Sequence, residues 1–171
     1  MGIRRASVGE PVRVCFVCTG NICRSPMAEA VLRELARDEG VFASIDCDSA
    51  ATSNWHIGAA ADPRALEVAK RNGVHIAHRA RQFVRNDFDV FDLVIVMDLE
   101  NRTELLRLAR HGDDSAKVRL LRSFDAKAEG AVEIDDPFYG SPDAFDRCFA
   151  EIRSSCEGLL VHLREEYLGH G

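Results

Sequence analysis

The chain has 171 residues, 46% hydrophobic and 29% charged, a balance that suits one compact domain and excludes collagen-like, low-complexity and disordered chains. Its 28 acidic residues outnumber 22 lysines and arginines, for a net charge of −6, the wrong sign for life on nucleic-acid backbones. No run approaches the roughly 18 apolar residues of a membrane span.

Met1–Glu10 carries Arg4 and Arg5 but has neither the apolar stretch and cleavage site of a secretory signal nor a myristoylation pattern, because Ala6 stands where Ser or Thr is wanted. A cytoplasmic chain in a reducing compartment is expected, one domain over 1–171 with 1–10 as a flexible extension. There the six cysteines, Cys15, Cys18, Cys23, Cys47, Cys148 and Cys156, serve as core, metal-binding or catalytic groups before structural disulfides.

Val12 to Val17 is a nearly continuous apolar run and predicts a buried parallel strand ending at Cys18-Thr19-Gly20-Asn21. Pro26 suits the first position of a helix with Ser25 as its N-cap, and Met27, Val31 and Leu35 carry its apolar stripe until Gly40. A second strand over Val41 to Cys47, a helix from Pro63 to Arg71 closed by Asn72-Gly73, and a third strand from Leu93 to Met97 follow. Asp98 caps a helix over Leu99 to Arg110, stopped near Gly112, and Val118 to Leu121 is a fourth strand. Ser141-Pro142 opens a last helix whose apolar positions, Phe145, Phe149, Ile152, Cys156, Leu159, Leu163 and Tyr167, step by three or four. Strands alternating with helices predict an α/β fold, an open four-stranded parallel sheet with helices on both faces. In such sheets ligands sit beyond the carboxyl ends of the strands, which directs attention to the loop after strand one.

That loop, Cys18-Thr19-Gly20-Asn21-Ile22-Cys23-Arg24-Ser25, sets a cysteine and an arginine six positions apart ahead of a helix N-terminus. A loop wrapping from strand to helix can aim successive N–H groups inward and form a concave anion nest at the positive helix end. A phosphate dianion fits such a nest, and the planar Arg24 guanidinium can bind two of its oxygens at once. Thiolates are stabilised by the same surroundings, so anion receptor and nucleophile share one centre. Gly20 is expected to permit a positive φ, and Asn21 to tolerate a left-handed conformation while its side chain bonds the loop.

The stretch Val14-Cys-Phe-Val-Cys-Thr-Gly-Asn-Ile-Cys-Arg-Ser-Pro-Met-Ala-Glu29 resembles the signature of the low-molecular-weight protein tyrosine phosphatases. The likeness extends to 48–58, 78–82, 92–98 and Asp135-Asp-Pro-Phe-Tyr-Gly140, and Thr19-Gly20 with Leu121-Arg-Ser-Phe-Asp125 looks most like actinobacterial members. The resemblance implies that Cys18 attacks phosphorus to form a cysteinyl-phosphate while Arg24 and the amides of Thr19 to Ser25 hold the oxygens. It implies that Asp136 protonates the leaving phenolate and then activates water, and that Ser25 hydrogen-bonds the thiolate. Asn21 would hold the loop in shape with Ser49 and His78 behind it, and Trp55 and Tyr139 would wall a slot deep enough to favour phosphotyrosine over phosphoserine. Cys23 would form a reversible disulfide with the nucleophile. A tyrosine-phosphorylated protein is the implied partner, phosphate the product, the chain a monomer, and no metal or organic cofactor is required.

Plainer readings stand beside these. Cys18 could be a core thiol, Cys23 a small loop residue, Asp136 a turn residue before proline with Asp135 its solvated neighbour, and His78 a surface histidine. Asp98 could be only a helix cap or could also support the site, and Cys47, Cys148 and Cys156 fall in core stripes. Cys15 and Cys18 form a Cys-x-x-Cys, but Cys15 lies within the strand pattern and no second ligand pair follows. Where many relatives have two tyrosines after Asp-Pro, this chain has Phe138-Tyr139. Arsenate reductases of similar fold use two further mid-chain cysteines, which are missing between Cys47 and Cys148. Related protein-arginine phosphatases place threonine where this chain has Ile22. A phosphotyrosine-binding module would need neither nucleophile nor acid.

Overall fold

The computed structural model describes residues 9–169. The predicted N-terminal extension therefore lies mostly outside the described residues; only Gly9 and Glu10, in a turn and a bend, are within them. Four strands, β1 (Val12–Cys18), β2 (Ile45–Ala51), β3 (Leu93–Val96) and β4 (Val118–Leu120), form one parallel sheet in the order β2-β1-β3-β4. Strand β1 is central because it is apolar on both faces. Val12, Val14, Phe16 and Cys18 join one core, while Cys15 and Val17 join the other, as alternation along a strand requires. Cys15 and Cys18 thus lie on opposite sides of the sheet and cannot form a two-cysteine site.

On the first face α1 (Arg24–Asp38), α2 (Pro63–Arg71) and the 23-residue α6 (Ala144–Glu166) cover the sheet. Met27, Val31 and Leu32 of α1 meet Phe149, Ile152, Leu159 and Leu163 of α6 in that core. On the second face α3 (Asp87–Val90) and α4 (Leu99–Leu108) supply Phe88 and Leu105 against Val94 and Val96, and α5 (Gly112–Lys117) leads into β4. Among the described residues no helix is long and apolar enough to cross a membrane.

Helices α1 and α2 end alike. Gly40 at φ 72° and Gly73 at φ 75° let the following amide, of Val41 or Val74, reach back to Ala36 or Ala69 at 2.9 Å, the six-to-one closure that needs a left-handed residue. After Gly40 the chain makes a 3-10 turn at Phe42–Ser44, so β2 begins at Ile45 and not at Val41. Gly112 does not stop a helix. Helix α4 ends at Leu108 because Ala109 turns extended (ψ 133°), and the Asp114 carboxylate gathers the Arg110 N–H and Nε–H as α5 starts. The last helix opens at Ala144, after a Ser141–Ala144 turn, and its predicted stripe is buried from Phe145 through Leu163, with Tyr167 just beyond its end.

Ser25 is not the cap of α1. Cys23 holds that position without a side-chain bond, and Arg24 is the first helical residue. Pro26 still falls in the first turn, where a missing N–H costs nothing.

Candidate active site

The loop from Cys18 to Ser25 closes the carboxyl end of β1, between its neighbours β2 and β3. Asn21 has φ 55°, the left-handed conformation expected of it, and every polar group it carries is used. Its Nδ2 donates to Ser25 Oγ (2.7 Å) and Ser49 Oγ (3.0 Å), and its Oδ1 accepts from the Arg81 N–H (3.1 Å). Its carbonyl accepts from His78 Nε2 (2.6 Å), and its N–H points at Cys18 Sγ (3.3 Å). Because the amide already donates into Ser25 Oγ, the Ser25 proton is free for Cys18 Sγ, 3.0 Å away. Behind this lies Glu29, buried, accepting from Ser49 Oγ at 3.0 Å and paired with Arg33 at 3.0 Å. Burial lifts the Glu29 carboxyl above the usual range, against the pull of Arg33 and Ser49.

Ser49 and His78 thus stand where they were expected, and His78 is no surface residue: its side chain is 5% exposed, with Nδ1 3.8 Å from Glu29. Burial drives its pKa below 6.5, partly offset by its bond to the Asn21 carbonyl. The neutral tautomer carrying Nε2–H follows, since a carbonyl can only accept.

Gly20 needs a different reason from the one expected. It is absent from the positive-φ positions, but a Cβ there would sit 3.0 Å from His56 Cδ2. Glycine at this position lets the imidazole lie against the loop. The segment after β2 is stitched to the same loop: Thr52 and Ser53 amides donate to the Cys18 and Thr19 carbonyls, and the Asp62 N–H donates to the Ile22 carbonyl at 2.8 Å.

Arg24 is 2% exposed, its NH1 bound to Asp98 Oδ2 (2.7 Å) and the Ile134 carbonyl (2.9 Å), its NH2 3.7 Å from Asp136 Oδ2. Burial alone would favour the neutral form, but Cys18, Asp98 and Asp136 outweigh it and raise the pKa further. Asp98 fills both roles considered for it, since its Oδ1 caps α4 through the Asn101 N–H at 2.7 Å. Asp136 is half exposed on the loop before α6, with Oδ1 accepting the Phe138 N–H at 3.1 Å.

These groups meet in a pocket of ≈ 450 Å³ including its open mouth. Cys18, Thr19, Gly20, Ile22, Cys23 and Arg24 form the floor; Trp55, 72% exposed, and Tyr139, 94% exposed, rise at the rim with His56, Phe138 and Asp136. Cys23 is buried beneath the pocket, and burial pushes its thiol well above the ordinary value. Cys47, Cys148 and Cys156 are buried in the core, and burial takes the Cys47 thiol up to about 12.

His56, Glu29, Arg81 and Asn101 belong to this site or its support and had no role in the sequence reading. Glu29 and Arg81 stand inside quoted motifs, next to residues that were assigned. His56 also stands inside a quoted motif, beside Trp55, and its contact with Gly20 and its position on the pocket wall reveal its place. Asn101, whose Nδ2 donates to Thr19 Oγ1 at 3.1 Å, has no local signal.

A loop lining a pocket at a helix N-terminus, with a thiol at its start and a buried arginine at its end, is an arrangement that suits an anion such as a phosphate ester. The profile described as low molecular weight phosphotyrosine protein phosphatase matches residues 13–168. The low molecular weight protein-tyrosine-phosphatase of the actinobacterium Streptomyces coelicolor is 48% identical over 92% of this chain and 96% of its own length. A protein tyrosine phosphatase structure from Entamoeba histolytica superposes with a TM-score of 0.86 at 34% identity, covering 90% of this chain and 97% of that one. A Drosophila arginine phosphatase structure gives 0.82 at 32% identity, with 90% and 98% covered. The chain belongs to the low-molecular-weight protein tyrosine phosphatase family and is a phosphoric monoester hydrolase.

Proposed function

We propose that the protein hydrolyses phosphotyrosine in proteins, and small aryl phosphates, through a cysteinyl-phosphate on Cys18. What carries this reading is the convergence on one pocket of Cys18, Arg24 and Asp136, drawn from β1, α1 and the loop before α6. The phosphoryl oxygens lie against the amides of Thr19 to Ser25 and the Arg24 guanidinium, which is held by Asp98 and Ile134 and costs no reorganisation as charge develops. Cys18 Sγ attacks phosphorus, the P–O bond breaks, and Asp136 delivers its proton to the departing phenolate oxygen. Asp136, now a carboxylate, takes a proton from water as that water attacks phosphorus. The P–S bond breaks and the thiolate leaves, stabilised by Ser25 Oγ at 3.0 Å and the Asn21 N–H at 3.3 Å.

The steps close with side chains alone, so neither a metal nor an organic cofactor is invoked. The aromatic rim of Trp55, Phe138 and Tyr139 fits a phenyl ring, and Ile22 offers the floor an apolar side chain. Under peroxide, Cys18 becomes the sulfenic acid and the Cys23 thiol condenses with it, losing water and forming a reducible disulfide.

Steady-state rates on phosphotyrosine, phosphoserine and phosphoarginine peptides, with chelator and reductant present, test the assignment. Chelator-resistant release from phosphotyrosine alone, lost in Cys18→Ser, is expected. Preference for phosphoarginine would move the substrate class toward that of the Drosophila relative, and no turnover of any peptide would remove the catalytic reading.

A further inference from the structure

Arg64, on the first turn of α2, is a surface arginine with 46% of its side chain exposed, yet almost every part of its guanidinium is in use. Nε and NH2 grip the two Asp62 oxygens at 3.0 and 2.9 Å, and NH1 donates to the Phe138 carbonyl at 2.9 Å. Its Cζ lies over the Phe138 ring (5.1 Å to the centroid) and the Phe145 ring (4.6 Å). Each partner leads to the site. The Asp62 N–H donates to the Ile22 carbonyl of the phosphate loop at 2.8 Å, and the Phe138 N–H donates to Asp136 Oδ1 at 3.1 Å.

The segment that carries Asp136 has few other restraints. At its start the Ile134 N–H reaches the Met97 carbonyl and Arg24 reaches the Ile134 carbonyl, both at 2.9 Å. At its end Pro137–Gly140 closes a turn at 3.0 Å, tight enough that a Cβ on Gly140 would meet Ala144 Cβ at 2.6 Å. Between these points Asp136 Oδ2 lies 3.7 Å from Arg24 NH2, and Arg64 ties the turn to α2.

We infer that Arg64 is a positioning residue for the general acid: bound to Asp62, it joins the phosphate loop to the Phe138 turn and so sets where the Asp136 carboxyl stands over the nucleophile. The inference rests on the reading of Asp136 as the acid. A lysine could replace one hydrogen bond and keep a cation near the rings, but not the two-point grip on Asp62, which needs a planar fork. Misplacement of a catalytic group by about an ångström costs up to about 100-fold, and a half-exposed tie is expected to lose part of that.

The test compares Arg64→Met, Arg64→Lys and Asp136→Asn on two aryl phosphates, phenyl phosphate with its poor leaving group and 2,4-dinitrophenyl phosphate with its good one. For Arg64→Met, kcat/KM on phenyl phosphate, which reports the step in which the leaving group departs, should fall about 10-fold, kcat/KM on the dinitrophenyl ester should change less than about twofold, and inhibition by inorganic phosphate should stay as in wild type. Arg64→Lys should recover part of the loss. Combined with Asp136→Asn, Arg64→Met should add nothing, since the group it positions is gone. Amide exchange at Phe138 and Gly140 should quicken in Arg64→Met. Equal losses of kcat/KM on both esters, an additive double mutant, or no loss at all would overturn the inference. If Asp136→Asn itself showed no leaving-group dependence, the acid assignment would fall and the positioning role with it, while amide exchange would still report whether the tie exists.

Discussion

Two loops build the pocket by opposite means. The phosphate loop is buried and over-determined: Asn21 alone makes five polar contacts, and Ser25, Ser49, His78 and Glu29 continue the network inward. The loop that carries Asp136 is half exposed, held by Arg24 through the Ile134 carbonyl at one end and by Arg64 through the Phe138 carbonyl at the other. A cradle for a dianion stabilises charge best when its dipoles cannot relax. In the proposed mechanism Asp136 passes a proton to a leaving oxygen and takes one from water, and a group with that task must stay reachable from solvent, which a loop pinned at points allows. Substitutions should therefore damage the first loop through stability and chemistry together, and the second through chemistry alone.

The largest expected effect tests chemistry in the rigid loop without disturbing it. Cys18→Ser should cut turnover by at least about 10⁴-fold while phosphate still protects the protein from thermal unfolding; measurable steady-state turnover would remove the nucleophile assignment. Next, Asp136→Asn should lower kcat on poor leaving groups by about 10²-fold or more and leave the melting temperature close to wild type. A clear loss of stability would show that the acid loop is as integrated as the phosphate loop, breaking the contrast.

Asn21→Ala should do both kinds of damage. It leaves the Arg81 N–H without its acceptor, removes the donor to Ser25 and Ser49 and places alanine in the left-handed region, for a destabilisation of about 3 kcal/mol in urea unfolding, with kcat falling as well. A stable but slow variant would mean that the network serves catalysis without holding the fold. The smallest effect is expected at His78, and its sign follows from linkage. Because burial lowers its pKa below 6.5 in the folded state, the unfolded chain binds more protons as pH falls through that range, and stability rises with pH up to about 6.5 and is flat above it. In His78→Gln the urea midpoint should lose that part of its acid sensitivity; an unchanged pH profile would show that the buried imidazole titrates as it does in the unfolded chain.

Much of the architecture was legible because it is written in local periodicity. The apolar run 12–17, which the structure extends to Cys18, the 63–71 helix with its Asn-Gly end and the stripe of α6 appear nearly as expected. Boundaries slipped where side chains compete for the backbone. Val41 reads as strand but follows a glycine turn, and Gly112 reads as a stop although the Asp114 grip on Arg110 makes it a start. Ser25 reads as a cap, yet its hydroxyl is drawn to Asn21 and Cys18 instead.

At the site, the sequence by itself determined the elements of the chemistry: a thiol and an arginine six residues apart ahead of a helix can share one anion, since that spacing is a property of a single short wrap. It also placed Asn21, whose left-handed conformation is a local matter. Only the tertiary structure decided the groups that arrive from elsewhere in the chain. His56 meets Gly20, Asp98 and Ile134 hold Arg24, Glu29 and Ser49 support Asn21, and Arg64 reaches Phe138 across 74 residues. Contacts of that kind are set by how strands order in the sheet and how helices cross it, and no pattern within either segment records the partner.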